Sequence, residues 1–408
     1  MSEERITQLN ENADADTANV KRVLIYATTA YMIDRFNMMN IRLLQEMGYE
    51  VDAACNFESG NALSKERLRA FQEELDAMNV RRFQLPLTRN ILDIRHNGAA
   101  LRKSIRIMRE NRYAFVHCHT PVGSVIARMA ARATGTKIIY TAHGFHFFDG
   151  APKLNWLLYY PIEKFFSGMT DVLITINRED YERAKAKFHM KRLEYVPGVG
   201  IDLSKFRGNR ADLGNSGIRQ ALGVSEDTFL MVSVGELSKR KNHIAALQAL
   251  CEIEQEKAEG KQIPDYHYAI VGTSIGENTL QQYINEHGLQ QKVTLLGFRT
   301  DVEDICRAAD AFLFPSKQEG LPAALMEAMA CGLPAAVSRI RGNADLIDEE
   351  GGFLFDLDAH SIKEAILCLL STTPEERRAM GEHNAAKIRS GFSTEAVRKR
   401  LEEIYGNI

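Results

Sequence analysis

The chain has 408 residues, 45% of them apolar and 26% charged, and 51 basic against 54 acidic side chains leave a formal net charge of −3. At about 100–200 residues per domain, this length predicts two or three domains. The composition excludes a disordered, collagen-like or small disulfide-bonded chain. So even a charge balance argues against a dedicated nucleic-acid binder, which needs a basic surplus to displace condensed counterions. The six cysteines, at 55, 118, 251, 306, 331 and 368, form no C-x-x-C pair and are predicted to be reduced and mostly buried.

Residues 1–20 are polar and acidic and read as a flexible leader without the apolar segment of a secretory signal. No run approaches 18 uncharged apolar residues, so no helix is predicted to span a membrane. The expected location is the cytoplasm, with contact to the inner face of the membrane left open. Charge is uneven: residues 1–200 carry 28 basic and 23 acidic side chains, and the rest carry 23 and 31. The basic surplus concentrates in 81–112, within which 98–110 reads as an amphipathic helix with Leu101, Ile105 and Met108 flanked by Arg102, Lys103, Arg106 and Arg109. Such a helix suits either an anionic membrane surface or a solvated helix face.

In chain order, Val23–Ala27 reads as a buried strand, followed by a helical pattern that ends at Gly48 and a second strand from Tyr49. The rhythm repeats with strand 114–117, helix 122–134, strand 137–141, helix 153–168 and strand 171–175. The segment Trp156–Tyr160 with Phe165 and Phe166 reads mainly as core, a lipid-contacting role being the alternative. The chain turns near Pro197–Gly200, and a second series begins: strand 229–234, helix 242–257, strand 267–271, helix 277–288, strand 293–296, strand 311–314 and helix 322–331. Alternating βα units predict parallel sheets covered on both faces. The expected organisation is an α/β chain of two doubly wound, Rossmann-like domains, 21–200 and 201–390, facing each other across a cleft. A C-terminal helix, within 391–408, is expected to pack back on the first domain.

In open parallel sheets, ligands bind at the carboxyl ends of the strands. Three segments of the second half hold that position. Gly235-Glu236-Leu237-Ser238-Lys239-Arg240-Lys241 places cations between a strand end and a helix start, which suits phosphate oxygens. Ser316–Pro322 leads into a helix carrying Glu327, and the free amides of 320–324 make an anion site. Two carboxylates, Glu319 and Glu327, beside an anion site predict a ligand with phosphates in the middle and hydroxyl-rich sugars at both ends. Gly297-Phe298-Arg299 ends another strand, where backbone groups meet the edge of a base. In the first half, His117, His119, His143 and His146 cluster at strand ends. A polar wall touching sugar hydroxyls is the preferred reading over a zinc site, because no cysteine or carboxylate completes one.

The run Glu319-x7-Glu327 within EGLPAALMEAMACGLP resembles the signature of retaining glycosyltransferases of the GT-B fold, in the large family-4 class. The stretch Tyr140–Phe147, Val271-Gly272, Leu296-Gly297-Phe298 and the terminal Phe392-Ser393 helix extend the resemblance over residues 21–408. The N-terminal half is similar to the branch that builds bacterial exopolysaccharide, capsule or lipid-linked glycans.

The resemblance implies hexosyl transfer from a UDP-sugar to a hydroxyl of a growing, polyprenyl-linked or free glycan, with retention and without a metal or other cofactor. It implies that Glu327 binds the ribose hydroxyls, Glu319 the transferred sugar with the amides of Gly320 and Leu321, and Lys241 the diphosphate. His143 is then expected over the donor sugar from the other domain, and Phe298 and Arg299 at the base. Gly235, Gly272 and Arg240 complete the donor side, and His119, Thr120, Phe145 and His146 the acceptor side. Two departures stand out. Glu236 occupies a position where relatives often carry Arg, so Glu236 is expected to point away and Arg240 to supply the cation. The loop after the first strand, Thr28–Arg35, lacks the usual glycines. The alternatives are a UDP-N-acetylglucosamine 2-epimerase on the same architecture and a non-catalytic nucleotide-sugar-binding protein.

Overall fold

The computed structural model describes residues 21–58, 62–206, 216–273 and 279–408, so the predicted leader lies outside the described residues. The chain divides into two units. One holds the residues through Ile176 with Asp180–Val199 and Arg398–Ile408, and the other holds Asn177–Glu179 with Gly200–Val397.

The first unit is built on strands β1 (Arg22–Thr29), β2 (Glu50–Asn56), β3 (Arg81–Gln84), β4 (Phe115–His119), β5 (Lys137–Ala142), β6 (Val172–Thr175) and β7 (Arg192–Tyr195). They form one sheet in the order β3-β2-β1-β4-β5-β6-β7, and every pairing is parallel. The order reverses between β1 and β4, so the crevice for a ligand lies beyond the carboxyl ends of these two strands. Strands β1, β2, β4, β5 and β6 are almost wholly buried, as expected when helices cover both faces. Strand β3 is different. Its arginines are spent at the sheet edge, Arg81 on Asp52 at 2.9 and 2.5 Å and Arg82 on Asp76 at 3.1 and 2.8 Å. The predicted basic segment thus loses two of its cations to internal ion pairs.

Helix boundaries follow local chemistry. The amphipathic helix predicted over 98–110 runs Ile94–Asn111, because the Asp93 carboxylate caps it by accepting from the His96 amide at 3.2 Å. The helical pattern before Gly48 is two helices, Ala30–Phe36 and Met38–Glu46. The buried Asn37 side chain parts them by donating back to the Met32 carbonyl at 3.0 Å. Of the cysteines, Cys368 departs from the predicted burial and faces outward on helix Ala359–Ser371.

The C-terminal helix Thr394–Gly406 contributes its residues from Arg398 onward to the first unit. There the Tyr405 ring stacks on Phe115 with centroids 5.7 Å apart, and its hydroxyl bonds His117 Nδ1 at 2.9 Å. Arg400 pairs with Glu194 at 2.5 Å, and Arg398 pairs with Glu46.

The second unit repeats the plan with β8 (Phe229–Val234), β9 (Tyr266–Val271), β10 (Val293–Gly297), β11 (Ala311–Phe314), β12 (Ala335–Ser338) and β13 (Gly352–Phe355). The order is β10-β9-β8-β11-β12-β13, again all parallel, with the reversal between β8 and β11. Two apolar layers cover the sheet. One packs helices His243–Ala258 and Ala359–Ser371 on one face, and the other packs helix Ala323–Ala330 on the opposite face. The helix predicted over 277–288 is described as Thr279–Glu286, and residues 274–278 lie outside the described residues.

One ion pair is sealed in the first unit. Arg128, 1% exposed, donates to Glu163 Oε2 and Ser124 Oγ, both at 2.9 Å, and lies over the Tyr140 ring 4.5 Å from its centroid. The Tyr140 hydroxyl donates to the other Glu163 oxygen at 3.1 Å. Removing either partner strands a buried charge, so Arg128→Met or Glu163→Leu alone should each cost about 3–5 kcal/mol. The double variant should recover most of that loss. Urea unfolding of the two single variants and the double variant measures this directly.

Candidate active site

Two clusters sit at the two strand-order reversals. In the second unit, the loop after β8 and the loop after β11 meet. Strand β8 ends at Gly235, where a Cβ would lie 3.0 Å from Lys241 Cε, so the lysine stem occupies the space a side chain would need. Gly272, after β9, has φ of 148°, and a Cβ there would lie 1.8 Å from the Gly235 carbonyl oxygen. Both strand ends therefore require glycine.

Lys241 runs back over the Phe314 ring, with Nζ 4.5 Å from the centroid, and donates to Glu319 Oε1 at 2.7 Å. The same oxygen accepts from Ser316 Oγ at 2.7 Å and from Arg240 Nη1 at 3.3 Å. Arg240 also donates to the Gln318 carbonyl at 3.0 Å, and its own carbonyl accepts from the Lys317 amide at 2.8 Å. Among the described residues, no hydrogen bond reaches Glu319 Oε2. Burial pushes the Lys241 ammonium down, and Glu319 opposes that shift. Glu236 adds a smaller field in the same sense as Glu319.

The loop is braced from behind. Arg341 Nε donates to the Glu319 carbonyl at 3.0 Å, and a Cβ on Gly342 would lie 2.5 Å from the Gly320 carbonyl oxygen. Pro322 is one residue earlier than predicted, at the cap of helix Ala323–Ala330 rather than inside it. The amides of Gly320 and Leu321 donate to no protein acceptor among the described residues, and Ala323 at the helix tip is exposed. Unpaired amides at an exposed helix tip are the chemistry an anion needs.

Glu327 is half-buried on that helix, and its carboxylate accepts no hydrogen bond among the described residues. Burial raises its pKa, the nearby Glu303 raises it further, and Lys205 opposes them. Phe298 presents its ring to solvent, 76% exposed, while Arg299 is held by Asp301 at 2.8 and 2.5 Å. Phe298 is thus available to a ligand, whereas the Arg299 guanidinium is already engaged.

In the first unit, the β1 and β4 ends are tied by hydroxyls. The Thr120 hydroxyl accepts from the Thr28 amide at 3.1 Å and lies 2.6 Å from the Thr28 hydroxyl. Thr120 has φ of 72°, a strained conformation for a β-branched residue. His119 Nδ1 meets His143 Nε2 at 3.0 Å, so these two nitrogens share one proton and their tautomers are coupled. His117 lies beside it, its ring tilted 41° to that of His119 with centroids 4.2 Å apart and its Nε2 bonded to the Thr141 hydroxyl at 2.8 Å. His119 Nε2 is buried without a partner among the described residues.

His146 is separate, stacked on Tyr159 at 4.5 Å. Phe145 is corrected outright: its side chain is 2% exposed and stacks on Phe147 in the core, so it cannot meet an acceptor. The alternation of 145 and 147 inward with 146 outward was a readable signal. The residues missed are Ser316, Arg341 and the chain Ser233–Tyr268–His243 behind Lys241, linked at 2.6 and 3.3 Å.

Burial pushes His143 down to about 4 and His117 to about 3, the latter helped by His143, and pushes His119 well below its ordinary value. These imidazoles are neutral when folded and titrate near 6.5 when exposed. Below that pH the unfolded chain takes up protons that the folded chain refuses. Stability is therefore full above about pH 6.5 and falls toward pH 4, by up to about 1.4 kcal/mol per pH unit for each imidazole. Urea midpoints at pH 7 and pH 5 should differ in that direction, and His117→Gln should shrink the difference.

The family described as Glycosyltransferase Family 4 matches residues 35–205, and that described as Glycosyl transferases group 1 matches residues 215–387. The chain is 33% identical over 390 residues to the putative glycosyltransferase EpsD of Bacillus subtilis, covering 94% of this chain and 96% of that one. It is 31% identical over 381 residues to the UDP-Gal:alpha-D-GlcNAc-diphosphoundecaprenol alpha-1,3-galactosyltransferase of Escherichia coli, covering 91% and 92%. Among solved structures, Anabaena HepE in complex with UDP and glucose superposes with a TM-score of 0.73 at 18% identity, covering 95% of this chain and 100% of that one. The chain belongs to the GT-B glycosyltransferases, in the branch that builds bacterial glycans.

Proposed function

We propose that this glycosyltransferase moves a hexose from a UDP-sugar to a hydroxyl of a lipid-linked bacterial glycan, with retention at the anomeric carbon and without a metal. The observation that carries the donor half is Glu319: one oxygen gathers Lys241, Arg240 and Ser316, and the other is unclaimed beside two free amides. The cations and the amides of Gly320 and Leu321 take the diphosphate. Glu319 Oε2 accepts from hydroxyls of the sugar. Glu327, a carboxylate short of donors, takes the ribose hydroxyls, and the exposed Phe298 ring and the Gly297 backbone take the base. The relatives support this reading through the UDP bound in the HepE structures and the diphosphoundecaprenol acceptor in the name of the Escherichia coli enzyme.

The chemistry needs the developing charge on the departing UDP to be stabilised. The outer stem of Lys241 lies against Gly235, over the Phe314 ring, and its tip is held by Glu319, so it meets that charge with little reorganisation. In the proposed front-face route, the acceptor hydroxyl attacks on the side the UDP leaves, and the departing phosphate takes its proton. The acceptor side is assigned to the first unit, to His119, Thr120 and His146, and His143 to the donor sugar. His143 Nδ1 bonds no protein group among the described residues and is free to meet a hydroxyl. The basic segment 81–112 is assigned to the anionic inner face of the membrane, where the lipid-linked acceptor resides, through its unpaired cations rather than Arg81 and Arg82.

Lys241→Ala should lower turnover by about 10²–10³, the scale for losing one stabilising donor. Steady-state UDP release with acceptor lipid checks this, and near-normal turnover would refute the assignment. UDP release that continues without acceptor, or an interconverted sugar without release, would favour hydrolysis or an epimerase. In a thermal-shift panel, UDP-sugars should stabilise the protein by about 2.7 kcal/mol at a hundredfold excess over Kd, and GDP- and ADP-sugars by less.

A further inference from the structure

We infer that the outer face of helix Lys153–Ser167 is a docking surface for an anionic lipid bilayer. Its sequence places Leu154, Leu157, Leu158, Pro161 and Phe165 on one stripe, and all five are exposed. Leu154, Leu157 and Phe165 are 69%, 75% and 65% exposed, values that side chains serving the core do not show. The inner face is conventional. Trp156, Tyr159 and Tyr160 pack on the core, and Asn155 donates to the His146 carbonyl at 3.0 Å. The helix that supports the loop carrying His143 and His146 therefore turns an apolar stripe outward.

Charge identifies the occupant. The stripe is bracketed by Lys153 and Lys164, both exposed, and the helix's one acid, Glu163, is buried on Arg128. The helix that carries Arg128, Pro121–Thr134, adds exposed Met129 and Arg132. Beyond it packs helix Ile94–Asn111, whose exposed Arg102, Arg106 and Arg109 make no ion pair among the described residues. Leucine and phenylalanine at the centre with cations of one sign at the edges suit insertion into the boundary between headgroups and acyl chains, with lysines reaching back to phosphates. A protein partner or a second copy of this chain would call for acids to answer the apolar stripe's basic rim. This deepens the membrane part of the reading above by adding an apolar anchor to the basic segment. The placement itself rests on surface composition and not on the transfer reaction.

The test is co-sedimentation of the full chain with phosphatidylcholine vesicles, with and without phosphatidylglycerol, in the absence of any sugar donor. The protein should bind the anionic vesicles. Leu154→Ser/Leu157→Ser/Phe165→Ser should weaken binding by at least about tenfold, and Lys153→Glu/Lys164→Glu by at least about fivefold. Melting temperature and stabilisation by UDP-sugar should be unchanged in both, because none of these side chains enters a core or the donor site. Binding abolished by Arg102→Glu/Arg106→Glu but untouched by the triple variant would overturn the proposal. So would light scattering that shows a dimer dispersed by the triple variant with vesicle binding intact. Loss of vesicle binding and loss of UDP-sugar stabilisation are separate readouts, so failure of one reading is distinguishable from failure of the other.

Discussion

The contact between Lys241 and Glu319 organises the second unit's candidate site. It joins the loops after β8 and β11, the two strands at which the sheet order reverses. A buried ammonium and a buried carboxylate are each expensive alone, and together they tolerate burial because Ser316 and Arg240 share the same oxygen. The glycines around them follow from that contact. Gly235 leaves room for the lysine stem, Gly272 lets two strand ends touch, and Gly342 lets the bracing loop reach Gly320. The result is a cationic centre already aimed before a ligand arrives.

Much of this was legible in the sequence, and the exceptions have physical causes. Strands β1, β4, β5, β6, β8, β9, β10 and β11 announce themselves because parallel strands buried on both faces are continuous apolar runs. Strand β3 is Arg-Arg-Phe-Gln at a sheet edge and reads as charge. Reading the residues just past each strand picked out both loops that meet at Lys241 and Glu319, since the switch-point rule depends on order and not on detail. The bond between Lys241 and Glu319 was not legible, because the partners are 78 residues apart and no spacing encodes that approach. Phe145 was assigned by its neighbourhood to a site that its inward direction denies it.

The first unit places its chemistry on a different foundation. Three imidazoles cluster with tilted rings at the β4 and β5 ends, and His117 is anchored by Tyr405 from the C-terminal helix. Neutral, coupled rings of this kind present a hydrogen-bonding nitrogen without a charge, which suits contact with sugar hydroxyls. The strained Thr120 ties the end of β4 to the end of β1 through Thr28. The outward stripe of helix Lys153–Ser167 lies on the opposite side of the loop that bears His143 and His146, so binding chemistry and surface chemistry share one support.

The central claim is that a diphosphate is received by Lys241 and the amides of Gly320 and Leu321. A crystal structure of the protein soaked with UDP tests it most directly. The account predicts phosphate oxygens within hydrogen-bonding distance of Lys241 Nζ and of those two amides, with the ribose at Glu327. Density for the nucleotide elsewhere, with Lys241 still bonded to Glu319 alone, would contradict it.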